Sequence, residues 1–314
     1  MPPTAPVAVV TDSAAGMSAA LLQQYRISVV PYWVHMGEEA YLSGETMAPP
    51  AFFRMLRERP EMEVHTGVPG IAKFVEIYER LATWAKGIVS IHVAGKQSGT
   101  YDAAQLASEQ SPVPVAVLDT ETTAMAEGFV VLEAAREAAA GSSLAQVVAK
   151  AESVIPNVGL IALLESITYA LKGGRLSSAA SKVGSLLHIQ PLIRVRANRV
   201  SLMGQARRRS KGLETLLEQT VAEVRDDPAH ITVHFAEDEA EGQQLLDAIR
   251  ARINCVESYL MRVPVELGVH AGPGSIGVAY YVERETVGLA QQIEQKLGQL
   301  GSQAKEAIRS RFSS

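Results

Sequence analysis

Pro6-Val-Ala-Val-Val10, followed directly by Thr11-Asp12-Ser13, is the stretch of sequence that indicates the fold class. A short apolar run of this kind is typical of a strand that is buried on both faces of a parallel sheet. The polar residues then lie at the carboxyl end of the strand, where small-molecule sites of parallel sheets gather. On its own, Thr11-Asp12-Ser13 indicates only a polar strand end.

Helical and strand patterns alternate after this first strand. Alternation of this kind implies right-handed βαβ crossovers and a mostly parallel sheet. Ser18 is the expected N-cap of the first helix, and Asp119 ends the last strand of this region. The predicted helices cover residues 18–25, 71–85, 101–109, 124–140 and 144–155, and the predicted strands cover 27–34, 87–93 and 113–118.

The second half of the chain has a different pattern, and we place a domain boundary near residue 155. The expected domains are 1–155, an N-terminal α/β domain, and 156–286, a C-terminal α/β domain. Apolar residues at helical spacing after Val287 predict a C-terminal helical extension over 287–314. Strands are predicted over 158–163, 189–195, 200–203, 230–235, 261–267 and 276–282, helices over 211–225 and 240–252, and a turn over 197–199.

Composition excludes several classes of protein. At 314 residues the chain is long enough for two domains. A net charge of −5 and an aromatic content of 5% disfavour nucleic-acid binding. The single cysteine, Cys255, cannot form an internal disulfide. Because no signal-type segment or membrane-length apolar run is present, we expect a cytoplasmic protein without stable membrane insertion.

Two segments in the first half place hydroxyl groups before predicted helices. Thr66 lies in His65-Thr66-Gly67-Val68-Pro69-Gly70, and the helix amino terminus beyond it favours an anion. Ser98 and Thr100 bracket Gly99 in a strand-to-helix junction that suits a carboxylate or phosphate oxygen. The spacing matches neither a Walker A loop nor a nucleophile elbow. A plain turn and an N-cap remain the alternatives.

Three segments in the second half carry single ionisable groups. Lys172-Gly173-Gly174-Arg175 can deliver a guanidinium into a cleft, where its planar fork suits a carboxylate. The run from Gly268 to Gly277 contains a Gly-x-Gly-x-x-Gly match, but a strand-like run follows it, so we interpret it as a glycine-rich loop that presents His270. Arg207 opens a basic run that is either a solvated face or a docking site. His230 and His234 share a face without a third metal ligand.

These segments, taken in order over residues 7–282, resemble the DegV family, which includes the fatty-acid-binding subunits of bacterial fatty acid kinase. The resemblance rests on Thr11-Asp12-Ser13, Thr66 with Pro69, Ser98-Gly99-Thr100-Tyr101, Asp119, Lys172-Gly173-Gly174-Arg175-Leu176, Leu187-His-Ile-Gln-Pro191, and His270 with Gly272-Pro273-Gly274. It implies an N-terminal, mostly parallel α/β/α sandwich and a C-terminal α/β domain with a mixed sheet.

The resemblance also implies a long-chain fatty acid between the two domains. Its carboxyl group would be held by Thr66, Ser98, His270 and Arg175, with Ser13, Gly99, Thr100, Asp119 and Gly174 supporting the pocket. Two hydroxyls, an imidazole and a guanidinium together offset the cost of burying a carboxyl group. No cofactor and no metal are implied.

In the family a separate kinase phosphorylates the bound fatty acid to an acyl phosphate for phospholipid synthesis, so the chain itself is expected to be a carrier and not an enzyme. Arg207 matches a position for docking the kinase. The sequence departs from the family pattern around Thr66, where Gly67 and Gly70 replace the usual serines, and before Ser98. Two alternatives stay open: a small-anion hydrolase or phosphotransferase that uses Ser98 and His270, and an interaction module that has lost its ligand.

Overall fold

The computed structural model describes residues 6–172 and 189–284. Thirteen strands, ten α-helices and two short 3-10 helices lie in these two ranges. In chain order the first elements are β1 (Val7–Asp12), α1 (Ala19–Gln24), β2 (Ser28–Val30), β3 (Trp33–Met36), β4 (Glu39–Leu42), α2 (Pro49–Glu58), β5 (Val64–Gly67), α3 (Ile71–Ala82), β6 (Gly87–His92), α4 (Thr100–Ser108), β7 (Val115–Asp119), α5 (Met125–Ala139) and α6 (Leu144–Val154). The remaining elements are β8 (Val158–Leu163), α7 (Ile167–Lys172), β9 (Gln190–Arg196), β10 (Arg199–Ala206), α8 (Arg209–Val224), β11 (Ala229–Phe235), α9 (Glu239–Arg250), β12 (Cys255–Arg262), α10 (Val265–Ala271) and β13 (Ile276–Val282).

A four-stranded parallel sheet forms the first layer, in the order β2-β1-β6-β7. Every residue of β1 and β6 is buried, as expected for the central strands of a parallel sheet that is covered on both faces. Helices α3 and α4 cover one face and α5 and α6 cover the other. The opening strand predicted from the sequence is therefore a central strand of the sheet.

A six-stranded mixed sheet forms the second layer, in the order β10-β9-β8-β13-β11-β12. All of its neighbours are antiparallel except β11 and β12. Helices α8 and α9 cover its outer face, and α5 covers its inner face. Together with the parallel sheet, this arrangement confirms the predicted fold class.

Helix α5 packs on both sheets and is therefore buried almost all round. Its residues from Met125 to Leu132 are all buried, and one continuous apolar core joins Val9 and Val89 of the parallel sheet to Val158 and Ala279 of the mixed sheet through this helix. A helix that is apolar on every side needs such enclosure on all sides. The division of the chain near residue 155 stays a prediction.

A three-stranded antiparallel sheet, β4-β3-β5, was not predicted. The single strand expected over residues 27–34 is two strands, β2 and β3, which belong to different sheets. Pro31 lies between them and has no N–H group to continue a ladder of hydrogen bonds. Helices α2 and α10 pack beside the new sheet.

The strand expected over residues 261–267 is also wrong. Strand β12 ends at Arg262, and Pro264 precedes the helix α10 that carries His270 in its last turn. A short apolar run does not distinguish a strand from a buried helix by periodicity. His270 is thus presented by a helix and not by the glycine-rich loop that we expected.

The other predicted elements within the described ranges lie within a few residues of their predicted positions. Ser18 caps α1, as expected, by accepting a hydrogen bond from the Leu21 N–H group. No helix of residues 6–172 and 189–284 is both long enough and apolar enough to cross a membrane. The predicted helix after Val287 lies outside the described residues.

Candidate functional site

A cavity of about 150 Å³ lies between the carboxyl ends of the parallel strands and the inner face of the mixed sheet. Ala14, Tyr32, Val93 and Thr123 follow β1, β2, β6 and β7 and line the cavity from the parallel side. The mixed sheet contributes an aliphatic wall of Leu160, Ala162, Leu164, Ile193, Val195 and Val200. The location is the one expected for ligand sites in parallel α/β sheets.

Three of the predicted carboxyl-binding residues line this cavity together. Thr66 comes from β5, Ser98 from the turn before α4, and His270 from the last turn of α10. These residues are far apart in the sequence, and the packing of α10 against β5 and against the 3-10 turn of Ser13–Ala15 that follows β1 helps to bring them to one cavity. Arg175 and Gly174, the other predicted members of the site, lie outside the described residues.

Ser98 belongs to a triangle of hydroxyl groups. Its Oγ lies 2.5 Å from the Tyr32 hydroxyl and 2.8 Å from Thr100 Oγ1, and the Tyr32 and Thr100 hydroxyls also share a hydrogen bond. The Thr100 N–H group donates to Ser98 Oγ over 3.3 Å. Gly99 is the N-cap of α4, and Ser98, one residue before it, lines the cavity.

A buried carboxyl group, Glu266, also lines the cavity. It lies one helical turn before His270 on α10 and accepts hydrogen bonds from the Ser13 and Ser43 hydroxyls. Burial raises the pKa of Glu266, and the two serine hydrogen bonds oppose this shift. Ser13 Oγ in turn accepts a hydrogen bond from the Tyr32 N–H group over 3.1 Å. Ser13 therefore connects the carboxyl group to the chain segment that carries Tyr32.

Asp119 fixes the loop that precedes Ser98. Its Oδ1 accepts hydrogen bonds from the Gly95 and Glu121 N–H groups, at 3.1 and 2.7 Å. A Cβ atom at Gly95 would lie 3.0 Å from Asp119 Oδ2, so the close approach favours glycine at this position. Asp119 thus holds the loop before Ser98 and does not itself line the cavity, and its role in supporting a ligand pocket stays a prediction.

The hairpin between β9 and β10 contacts the same loop through Asn198. The Asn198 side chain donates to Asp119 Oδ2 over 2.9 Å and accepts from the Lys96 N–H group over 3.2 Å. Ala197 and Asn198 both have positive φ, which is typical of a tight two-residue hairpin turn. The turn was predicted, but its contact with the Ser98 loop was not.

His234 is the second histidine of the cavity wall. Its Nε2 accepts a hydrogen bond from the Met125 N–H group over 3.1 Å, so Nδ1 carries the proton and donates to the Arg262 carbonyl oxygen over 3.3 Å. Burial lowers the pKa of His234 from 6.5 to about 4. The other histidine of this strand, His230, bonds to Glu257 over 2.7 Å.

Among residues 6–172 and 189–284, no group of three or more His, Cys, Asp or Glu side chains could hold a metal ion.

The predicted docking residue Arg207 is exposed, between β10 and α8. The neighbouring Arg209 is engaged with Glu241 in a two-pronged ion pair on the surface of α8 and α9. Of the basic run, Arg207, Arg208 and Lys211 are exposed, and Arg209 is partly buried.

Four residues at or beside the cavity were not predicted to belong to a ligand site: Tyr32, Glu266, His234 and Asn198. Two of them carry a signal that was available. Tyr32 closely follows β2, so the rule that drew attention to Thr11-Asp12-Ser13 also applies to it. Glu266 is the single charged residue in the apolar run from Val263 to Val269, and a charge in such a run is rarely buried without a partner.

Comparison with known proteins gives consistent results. A family model described as "Uncharacterised protein, DegV family" matches residues 6–283. A DegV domain-containing protein of Streptomyces coelicolor is 33% identical over 274 residues, which are 87% of this chain and 97% of the relative.

Two solved structures have the same fold. A fatty-acid-binding DegV family protein from Thermus thermophilus has a TM-score of 0.82 at 26% identity, covering 88% of this chain and 99% of the other. The fatty-acid-binding protein DegV from Bacillus subtilis has a TM-score of 0.80 at 26% identity, covering 89% of this chain and 100% of the other. Both relatives are therefore similar to this chain over nearly their full length.

Proposed function

The chain belongs to the DegV family, and we propose that it binds one long-chain fatty acid by its carboxyl group. The observation that carries the proposal is that Thr66, Ser98 and His270, from three separate elements, line a single cavity whose other wall is aliphatic. Members of the family with solved structures bind fatty acids. Such a cavity suits an amphiphile with one polar end.

In this proposal the carboxylate accepts hydrogen bonds from the Thr66 and Ser98 hydroxyls and from the His270 ring, with Arg175 as the fourth group. A carboxylate accepts hydrogen bonds only, and bonds to a charged group are shorter and stronger than neutral ones. The acyl tail lies against the wall of β8, β9 and β10. Burial of each methylene stabilises the complex by about 0.8 kcal/mol, before the cost of ordering the tail is subtracted.

The test of fatty acid binding is extraction and mass spectrometry of lipid from gently purified protein, followed by titration of the delipidated protein with palmitate. The Thr66→Val/His270→Leu variant should lower palmitate affinity by about tenfold or more, because it removes two donors to a charged group. A matched control, Thr83→Val/His65→Leu, changes the same residue types at exposed positions and should keep wild-type affinity. No bound lipid and no palmitate uptake by wild-type protein would overturn the proposal.

We further propose that the chain presents the bound fatty acid to a separate kinase, which transfers a phosphoryl group to the carboxylate. The support is family membership and the exposure of Arg207. With a fatty acid kinase catalytic subunit from the same genome, ATP and palmitate, acyl phosphate should form and be trapped by hydroxylamine. Arg207→Glu should slow this reaction while leaving palmitate affinity unchanged. A wild-type rate of acyl phosphate formation with Arg207→Glu would show that Arg207 takes no part in docking the kinase.

The hydrolase or phosphotransferase alternative needs Ser98 to give its proton to a base, for which His270 is the candidate. The hydroxyls of Tyr32 and Thr100 bond to Ser98, and both are weak acids and not bases at neutral pH. This environment favours a hydroxyl that donates to a ligand over one that attacks it. A serine-directed covalent probe should therefore leave Ser98 unlabelled, and labelling would favour the enzyme.

A further inference from the structure

We propose that Tyr32 is a positioning residue for the ligand carboxylate, because its phenol orders the hydroxyl groups so that Ser98 offers its proton to the ligand. This inference rests on the proposed function. Tyr32 itself lines the cavity, and its side chain is only 5% exposed. It is part of neither the sequence motif around Ser98 nor the set of carboxyl-binding residues predicted above.

Tyr32, Ser98 and Thr100 each bring one hydroxyl proton to the triangle. Three hydroxyl protons serve three hydroxyl-to-hydroxyl contacts. A closed ring of such bonds uses every proton, and none remains for a ligand. A carboxylate has no proton to donate, so it must take one donor from this ring.

Ser98 is the member that can turn to the ligand, because its oxygen is already supplied with donors. The Thr100 N–H group and the Tyr32 hydroxyl both lie within hydrogen-bond distance of Ser98 Oγ, at 3.3 and 2.5 Å. Together they fill both lone pairs of the Ser98 oxygen. The Ser98 proton is then left for the carboxylate, and the contact that gives up its proton is the longest of the triangle, the 2.8 Å between Ser98 and Thr100.

Tyr32 is the donor that the protein adds to the Ser98 motif. Its phenol lies 2.5 Å from Ser98 Oγ, and a phenol is a stronger hydrogen-bond donor than an alkyl hydroxyl because it is the stronger acid. The bonds then run from Thr100 to Tyr32, from Tyr32 to Ser98, and from Ser98 to the carboxylate. Hydrogen bonds that run in one direction strengthen one another, most of all when the last acceptor is charged.

The surroundings hold the phenol in place as a donor. The Tyr32 ring packs in a small apolar cluster with Ala14 and Val93. The backbone N–H group of Tyr32 donates to Ser13 Oγ, and the Ser13 hydroxyl donates to Glu266. Burial, and next the Asp12 carboxylate, raise the pKa of Tyr32 well above its ordinary value, so the phenol keeps its proton at neutral pH. Thr100 is fully buried at 0% exposure, and the direction of the chain of hydrogen bonds is therefore set by protein groups alone.

The experiment compares palmitate with hexadecanol, which has the same tail and a neutral head group. Tyr32→Phe should weaken palmitate binding by about tenfold, the value typical of a hydrogen bond network to a charged group. It should weaken hexadecanol binding by less than about twofold, since the alcohol can itself donate to the hydroxyl groups. Tyr78→Phe is the matched control: it also removes a buried phenol bonded to a serine, Ser90, and should leave the acid-to-alcohol affinity ratio unchanged.

Thr100→Val provides an independent test that keeps the shape of the side chain, and it should lower the acid-to-alcohol ratio in the same direction as Tyr32→Phe. Palmitate binding by wild-type protein with an unchanged ratio in both variants would overturn the inference and leave the proposed function intact. Equal weakening of palmitate and hexadecanol in both variants would show a packing role only, and would also overturn it. A wild-type protein that binds neither ligand would overturn the proposed function, and this inference with it.

Discussion

At the scale of single residues, the cavity contains polar side chains whose hydrogen bonds are satisfied by the protein. His234 is the clearest case, since one ring nitrogen accepts from the Met125 N–H group and the other donates to the Arg262 carbonyl. The ring therefore presents carbon atoms, and no unsatisfied nitrogen, to the cavity that it lines. A histidine held in this way is neutral at pH 7. Because its pKa is lowered, it decreases the free energy of unfolding only at acidic pH.

The first prediction concerns the acid stability of the protein. Between pH 6.5 and about 4 the unfolded state binds a proton at residue 234 and the folded state does not, so the free energy of unfolding falls as the pH falls through this window. The loss from this residue reaches up to about 3 kcal/mol at the acid end. His234→Gln keeps a donor and an acceptor but cannot titrate, so its unfolding free energy should fall less steeply in this window.

Urea denaturation of both proteins at several pH values between 7 and 4 measures this difference. Two curves that run parallel through the whole window would contradict the prediction. Above about pH 7 both proteins should show the same slope, because neither state of the wild-type protein then binds a proton at His234.

At the scale of elements, Ser98, one of the proposed carboxyl-binding residues, is positioned by a turn that other elements hold. The turn before α4 is fixed by Asp119 at the end of β7 and by Asn198 in the hairpin of β9 and β10. The hairpin belongs to the mixed sheet, whereas the turn belongs to the parallel sheet. The placement of Ser98 therefore depends on contact between elements of the two sheets.

The second prediction tests this dependence. Asn198→Gly keeps the positive φ of the turn but removes the side-chain bonds to Asp119 and Lys96. We expect a loss of about 1 kcal/mol in unfolding free energy and a severalfold loss of palmitate affinity, because the Ser98 loop loses two hydrogen bonds that hold it in place.

Titration calorimetry with palmitate and urea denaturation measure the two effects. Arg199→Ala, at an exposed position in the same hairpin, is the control and should match wild type in both. Wild-type affinity in Asn198→Gly would show that the hairpin has no part in placing Ser98.

At the scale of the whole molecule, α5 joins the two sheets. Its apolar residues contact β1 and β6 on one side and β8 and β13 on the other. Phe129 at its middle is 1% exposed, with its ring beside the rings of His230, Tyr259 and Tyr281. The stability of either sheet is therefore coupled to that of the other through this helix.

The third prediction is that Phe129→Ala destabilises both sheets at once. Loss of a buried aromatic ring costs about 3–5 kcal/mol through lost burial and the cavity left behind. Thermal unfolding followed by circular dichroism and by calorimetry should show one transition at a lower temperature. Leu106→Ala, which removes an exposed side chain on α4, should leave the transition near its wild-type temperature. Two separate transitions in Phe129→Ala would show that the sheets unfold independently.

The α/β class and most of the elements follow from the sequence alone. The apolar run before Thr11-Asp12-Ser13, the alternation that follows it and the patterns of the second half are local signals, and they predicted most strands and helices of the two large sheets. Strand β12 of the mixed sheet, over Cys255–Arg262, was not predicted. Local signals failed at residues 27–34 and 261–267, because a short apolar run has no distinguishing period and the partner of a strand is a distant segment. The three-stranded sheet was missed for the same reason.

For the candidate site, motifs and family resemblance identified Thr66, Ser98 and His270 as candidates, and Asp119 as a support. That they line one cavity, with Tyr32, Glu266 and Asn198 close by, became known from the tertiary structure. The type of a side chain and its position at the end of a strand are properties of the local sequence. Hydrogen bonds such as Tyr32 to Ser98, or Ser13 to Glu266, join residues that are distant in the sequence, so they exist only after the sheets and helices have packed.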